Sequence, residues 1–206
     1  MTEDADKRTI DYYFTVSSPW SYLGHSRLKE IATAGEAEIK PKPCDFGAIF
    51  KVSGGLPLKK RAPQRQAYRQ IELARWSVEL NEPINRNPKH FPVADGLANR
   101  MVIAAHALEE DAFGLALALM QGVWIEEQDI ADRHTLNEIA LTCGMDGEAL
   151  LDEAEKPGTD TVYEANTNEA IGRQVFGAPT YVLDGVLFWG QDRLDFLERA
   201  LTEGDI

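Results

Sequence analysis

The sequence predicts an α/β fold in which a strand–helix–strand unit near the start and a hairpin with its helix near the end enclose one long helical segment. Three observations lead there. Strand-like runs are confined to the two ends of the chain, helical periodicity fills residues 62–174 between them, and a Ser-Pro helix start follows the first strand directly.

Ile10 to Val16 is rich in β-branched and aromatic residues, the mark of a short buried strand. Ser17-Ser18-Pro19 then reads as a helix start, because Ser18 suits an N-cap and Pro19 the first helical position, where no amide donor is needed. The helix is expected to run to about Ala34, with Tyr22, Leu23, Leu28 and Ile31 inward and Gly35 as its stop. A second strand at Glu38 to Pro43 completes a right-handed parallel crossover. The helical segment opens with a stripe of Tyr68, Ile71, Arg75, Trp76 and Leu80, followed by a second of Leu97, Met101, Ala104, Ala105 and Leu108. Phe113 to Trp124 is apolar nearly all round and is expected at the centre. Thr135 with Glu138 forms a candidate capping box, a further helix covers about Glu148 to Glu155, and a last long helix after Pro157 leads to Val175. The pattern then returns to β: Thr180 to Leu183, an Asp184-Gly185 turn, and Val186 to Trp189 form a hairpin. Gln191 and Asp192 open a closing helix with Leu194, Leu197, Ala200 and Leu201 inward.

A chain of 206 residues suits one compact domain, or one domain with a large insertion. Its formal charge of -13, from 34 acidic against 21 basic residues, disfavours sequence-independent binding to nucleic acid or to an acidic membrane. Lys51, Lys59, Lys60, Arg61, Arg65 and Arg69 run against that balance, either as the mouth of a site for a small anion or as a solvated basic face. Cys44 and Cys143 are isolated from each other and from any metal-ligand spacing, so no disulfide framework and no metal site is expected. Neither a secretory leader pattern nor a membrane-length apolar run is present, and the expected compartment is the cytoplasm.

The element order resembles a thioredoxin-like fold split by an all-helical insertion, with 1–61 and 175–206 forming the thioredoxin-like part and 62–174 the insertion. This is the arrangement of the DsbA-like superfamily, which also holds kappa-class glutathione transferases and 2-hydroxychromene-2-carboxylate isomerases. Disulfide oxidoreductases of this type carry Cys-x-x-Cys where the first strand meets its helix, because the helix N-terminus lowers the first thiol's pKa and the second resolves the mixed disulfide. Here those four residues are Ser18-Pro19-Trp20-Ser21. With both sulfurs missing, dithiol exchange by that route is impossible. What remains is a hydroxyl and a helix start able to stabilise a thiolate brought by another molecule; on local grounds alone, Ser18 reads first as a plain cap.

Four blocks make the resemblance specific to the isomerase family. They are Asp11 to Leu23 with its Ser-Pro-Trp-Ser-Tyr-Leu core, Tyr68 with Glu72, Arg75 and Trp76, Pro88-Lys89-His90-Phe91-Pro92, and a tail of Phe176-Gly177-Ala178-Pro179-Thr180 with Phe188-Trp189-Gly190-Gln191-Asp192-Arg193-Leu194. The resemblance implies glutathione as cofactor, with its sulfur at Ser18 as the catalytic residue, its cysteinyl part on the Ala178 backbone beside a cis Pro179, and its γ-glutamyl end at Trp189, Gly190, Gln191 and Asp192. It further implies that Trp20, Gly55, Leu56 and Phe91 wall the pocket for a small aromatic carboxylate, although Gly55 stands where relatives often have asparagine. A homodimer is implied as well. The expected activity is interconversion of 2-hydroxychromene-2-carboxylate and trans-o-hydroxybenzylidenepyruvate in aromatic breakdown. The rival expectations are a kappa-like transferase that conjugates an electrophile, and a non-catalytic module binding a peptide at the cis-proline groove.

Overall fold

The computed structural model describes residues 7–204. Four strands, Thr9–Phe14 (β1), Glu38–Pro43 (β2), Thr180–Leu183 (β3) and Val186–Trp189 (β4), form one sheet in the order β2-β1-β3-β4. β1 and β2 are parallel, while β1–β3 and β3–β4 are antiparallel. The described helices are Pro19–Ala34 (α1), Phe46–Ser53 (α2), Pro63–Glu79 (α3), Gly96–Ala107 (α4), Ala112–Trp124 (α5), Arg133–Thr142 (α6), Gly147–Ala154 (α7), Pro157–Gly172 (α8) and Leu194–Glu203 (α9), with 3₁₀ turns at Leu58–Lys60 and Gln191–Arg193. This is a thioredoxin-like fold of the DsbA type, with the long helical stretch between β2 and β3.

The pleat of β1 decides what lies on each side of the sheet. Ile10, Tyr12 and Phe14 enter a large core with α1, α9 and helices α3 to α7, while Tyr13 faces a smaller cluster with Phe46, Ile49, Ala170, Val175 and Val182. Burial of one such side chain contributes about 1.5–3 kcal/mol. On that second face α8 is also held by charge: Lys42 Nζ lies 3.1 Å from Asp11 and 2.7 Å from Glu169, and Arg173 pairs with both acids.

Sequence reasoning placed most elements correctly, and several details differ. α2 was not anticipated, although Asp45 caps it by accepting from Ala48 N at 3.1 Å and Phe46 and Ile49 anchor it. The start of α6 is not Thr135: the stronger cap, Asp132, accepts from both the backbone N and the Oγ1 of Thr135 at 2.8 Å, which makes that threonine the third helical residue. On α3 the inner face carries Arg69 and Leu73, while Tyr68 and Ile71 are exposed. An arginine in the apolar stripe defeats a pattern that counts arginine as polar. Finally, Gly35 ends α1 with φ of −89°, and the left-handed residue is Glu36 at 51°. Gly35 serves close approach instead, since a Cβ there would stand 3.2 Å from Leu201.

Candidate active site

One end of the sheet collects the segments singled out from the sequence. β1 ends at Phe14 and turns through Thr15 to Ser18, whose N–H donates to Thr15 O at 3.1 Å. β3 runs antiparallel and its first residue, Thr180, pairs with Tyr13, so the preceding Ala178-Pro179 lies beyond the C-terminal end of β1. The Ala178–Pro179 peptide is cis. Ala178 precedes the paired residues of β3, which leaves its backbone outside the ladder.

Ser18 is the N-cap of α1: its Oγ accepts from Ser21 N at 3.2 Å, and Pro19 follows at the first helical position. That bond uses a lone pair. A hydroxyl also owns one proton, and among the described residues the Ser18 proton is given to no acceptor. A free O–H donor therefore stands at the positive end of a helix of 16 residues. Ser21, at the second redox position, is fully buried with its Oγ unpartnered.

The tail segment packs against this corner. Gly190 donates its N–H to Pro179 O at 2.9 Å, with φ of 97° that a side-chain-bearing residue rarely adopts. Trp189 is 51% exposed and its ring lies 4.7 Å from that of Phe176. Gln191 turns inward beneath α1, 2% exposed with an unpartnered Oε1. Asp192 pairs with Arg193 at 2.9 Å and stays partly exposed. Ser18, Ala178, Pro179, Trp189, Gly190 and Gln191 thus belong to one corner, with Asp192 at its rim.

The expected pocket walls are more dispersed. Trp20 and Phe91 lie half-buried at the margin of the large core. Phe91 packs on Trp124 with centroids 4.8 Å apart, and the peptide to Pro92 is cis. Gly55 follows α2 and is filled by its neighbour, since a Cβ there would come within 2.2 Å of the Phe50 ring; an asparagine would not fit without displacing it. Leu56 is exposed, and its carbonyl accepts from Arg61 Nε at 2.8 Å. Of the basic cluster, Lys51, Lys59, Lys60 and Arg65 are exposed, whereas Arg69 is buried.

Two residues that sequence reasoning passed over tie the helical stretch to the Ser18 turn. Asp95, just before α4, accepts from Thr15 Oγ1 at 2.5 Å and from Ser17 Oγ. Asn99, fully buried, accepts from Val16 N at 3.1 Å and donates to Thr15 Oγ1 at 3.1 Å. The available signal was a lone asparagine inside an apolar helical stripe, which must have a buried partner. Cys44, whose N–H donates to Phe14 O at 2.9 Å, is a buried free thiol, and burial pushes its pKa far above the ordinary range. Among the described residues no group of three or more His, Cys, Asp or Glu side chains is placed to hold a metal ion, and no helix is long and apolar enough to cross a membrane.

The comparisons with known proteins agree with this fold. A 2-hydroxychromene-2-carboxylate isomerase of Sphingobium xenophagum is 29% identical over 198 residues, covering 95% of this chain and 99% of that protein. A kappa 2 glutathione S-transferase of Caenorhabditis elegans is 25% identical over 215 residues, covering 96% and 93%. The solved structure of a 2-hydroxychromene-2-carboxylate isomerase superposes with a TM-score of 0.80 at 25% identity, covering 95% of each chain. These relatives are enzymes. The model of the DSBA-like thioredoxin domain matches residues 9–202, and the chain belongs to that family.

Proposed function

We propose that this protein is a glutathione-dependent isomerase that interconverts 2-hydroxychromene-2-carboxylate and trans-o-hydroxybenzylidenepyruvate. The observation that carries the reading is the Ser18 hydroxyl: its lone pair serves the helix cap while its proton stays free, at a helix start where family members with redox activity need a thiol. Such a donor suits a sulfur anion and cannot exchange a disulfide. The full-length similarity to isomerases of this name supports the choice of reaction.

The residues present fit glutathione. Ser18 would donate to its sulfur, aided by the α1 N-terminus. The Ala178 backbone, free of the β3 ladder, offers an N–H and a C=O for an extended peptide. Trp189, Gly190, Gln191 and Asp192 would meet the γ-glutamyl end, where Asp192 keeps an exposed carboxylate for an ammonium despite its pairing with Arg193. When bound, glutathione supplies a thiolate able to add reversibly to a conjugated acceptor, the nucleophile missing from positions 18 and 21. Trp20 and Phe91 would hold the aromatic part and exclude water.

The test is calorimetric titration with reduced glutathione of the native chain and of Ser18→Ala, followed by an ultraviolet assay on 2-hydroxychromene-2-carboxylate. Binding with turnover that collapses at least 10-fold in the variant is expected, from loss of one charge-assisted hydrogen bond of about 1.5–3 kcal/mol. No glutathione binding would overturn the reading. The match to kappa transferases favours conjugation as a second reading. Product mass separates the two, because conjugation adds glutathione to the acceptor and isomerisation leaves the mass unchanged.

A further inference from the structure

Arg69 is a buried cation without a described anion. It lies on the inner face of α3 with 9% of its surface exposed. Its guanidinium carbon is 5.4 Å from the Phe91 ring and 5.8 Å from the Trp124 ring, and the two rings are inclined at 49° to each other. Stacking of this kind covers the flat faces of a guanidinium but leaves its edge, with five N–H donors, to find acceptors. Among the described residues no carboxylate forms an ion pair with Arg69, whereas Arg8, Arg27, Arg75, Arg100, Arg133, Arg173 and Arg193 each have one. The charged group that acts on Arg69 is Arg61, of the same sign, and together with burial it lowers the Arg69 pKa to about 10. Arg61 is fixed alongside α3, since its carbonyl accepts from Gln66 Nε2 at 2.7 Å. In a chain carrying a formal charge of -13, two half-desolvated arginines with no acid between them form a seat for an anion from outside.

The seat is tied to the Ser18 corner. Phe91, under the guanidinium, is four residues before Asp95, and Asp95 accepts from Ser17, the neighbour of Ser18. Four residues span at most about 14 Å when extended.

We propose that Arg69, seconded by Arg61, anchors the carboxylate of the acceptor, with the acceptor's ring against Phe91, so that the substrate class is aryl-conjugated carboxylic acids rather than neutral electrophiles. This rests on the reading that Ser18 holds the thiol. A bidentate carboxylate–guanidinium pair recovers what the buried charge loses on desolvation, and the bond that must react is directed toward the α1 N-terminus. Lys59 and Lys60, exposed on the 3₁₀ turn, have no part in the anchor.

The experiment titrates the full chain with trans-cinnamate and with methyl cinnamate, with and without reduced glutathione, for the native protein, Arg69→Met and Arg69→Lys. The acid is expected to bind on the order of 10- to 100-fold more tightly than the ester. Arg69→Met erases that preference, Arg69→Lys keeps part of it, and glutathione affinity is unchanged in both. Equal binding of acid and ester by the native chain overturns the proposal without recourse to any variant, and a preference that survives in folded Arg69→Met overturns it too. Preference for the acid in a chain that fails to bind glutathione upholds the anchor while removing the isomerase reading, so the two fail separately.

Discussion

His25 makes the stability of this protein depend on pH in a direction that can be worked out. It lies on α1, with no exposed surface, stacked on Phe113 at a centroid distance of 3.7 Å. Nε2 stands 3.0 Å from the Phe113 carbonyl and must donate, so Nδ1, 3.4 Å from Tyr12 Oη, is left to accept from the phenol. A second ring proton would end the donation from Tyr12 and carry a charge into an apolar layer. Burial is the main reason its pKa falls from 6.5 to about 4; the Phe113 carbonyl pulls the other way, Lys29 adds to the fall and Asp111 opposes it. Unfolded chains take up this proton near pH 6.5 and folded ones only near 4. Stability from His25 is therefore complete above the higher value and lost as pH falls through the window, by about 3 kcal/mol in full. Carboxylates titrate in the same range, so the informative quantity is a difference. Urea unfolding of the native chain and of His25→Gln, at pH 7 and pH 4.5, is expected to show the gap between them shrinking by about 2 kcal/mol at the lower pH. Parallel profiles for the two proteins would refute the assignment of a buried neutral imidazole.

Two further perturbations address the site. Ser18→Cys puts a thiol at the α1 N-terminus, and its pKa is expected below the ordinary 8.5, in the range of about 3.5–7.5 found for thiols so placed; the pH dependence of iodoacetamide alkylation measures it, and a midpoint near 8.5 would deny the helix start any hold on a thiolate. Gly24→Ala places a Cβ 2.8 Å from both Tyr181 Oη and Gln191 Cβ. It is expected to cost about 1–3 kcal/mol in denaturant unfolding and to weaken glutathione binding, because the Gln191 segment must shift away from α1.

The sheet was legible in the sequence because each of its signals is local. Asp184-Gly185 takes up φ of 50° and 83°, which few residue pairs other than this kind adopt together, and the runs on either side of it pair with each other. The α1 start was legible for the same reason, with cap and proline adjacent. The structure's additions to the site come from tertiary contacts that leave no local pattern. Asp95 precedes α4 and looks like its cap, yet its carboxylate turns away to Thr15 and Ser17 and caps nothing. Arg69 reads as surface because its partners, Phe91 and Trp124, are remote in sequence. The two readings of Ser18, cap or sulfur ligand, do not exclude each other, since one hydroxyl can accept from the helix and donate outward at once.

How the two halves of the site stay in register follows from the core. Phe14, Val16 and Leu23 from the sheet side belong to the same buried cluster as Leu73, Met101, Leu115 and Trp124 from the helical stretch. Ser18 is carried by the first group and Arg69 by the second. Interiors packed at crystal-like density pass displacement on rather than absorb it, so the separation between Ser18 and Arg69, the proposed sulfur site and carboxylate anchor, is fixed by shared packing. The hydrogen bonds of Asp95 and Asn99 to Thr15, Val16 and Ser17 pin that packing at the Ser18 corner. An acceptor held at both ends reacts only where its conjugated bond meets the thiol, and a rigid span selects among acceptors by length as well as by charge. The proposed isomerisation asks one thing more: the acceptor would have to turn about the bond that has lost its double character without leaving either anchor. A stacked guanidinium suits that demand, because a carboxylate would pivot along its edge while the ring slides on Phe91, and Ser18, forming no bond to carbon, would leave the thiol free to depart.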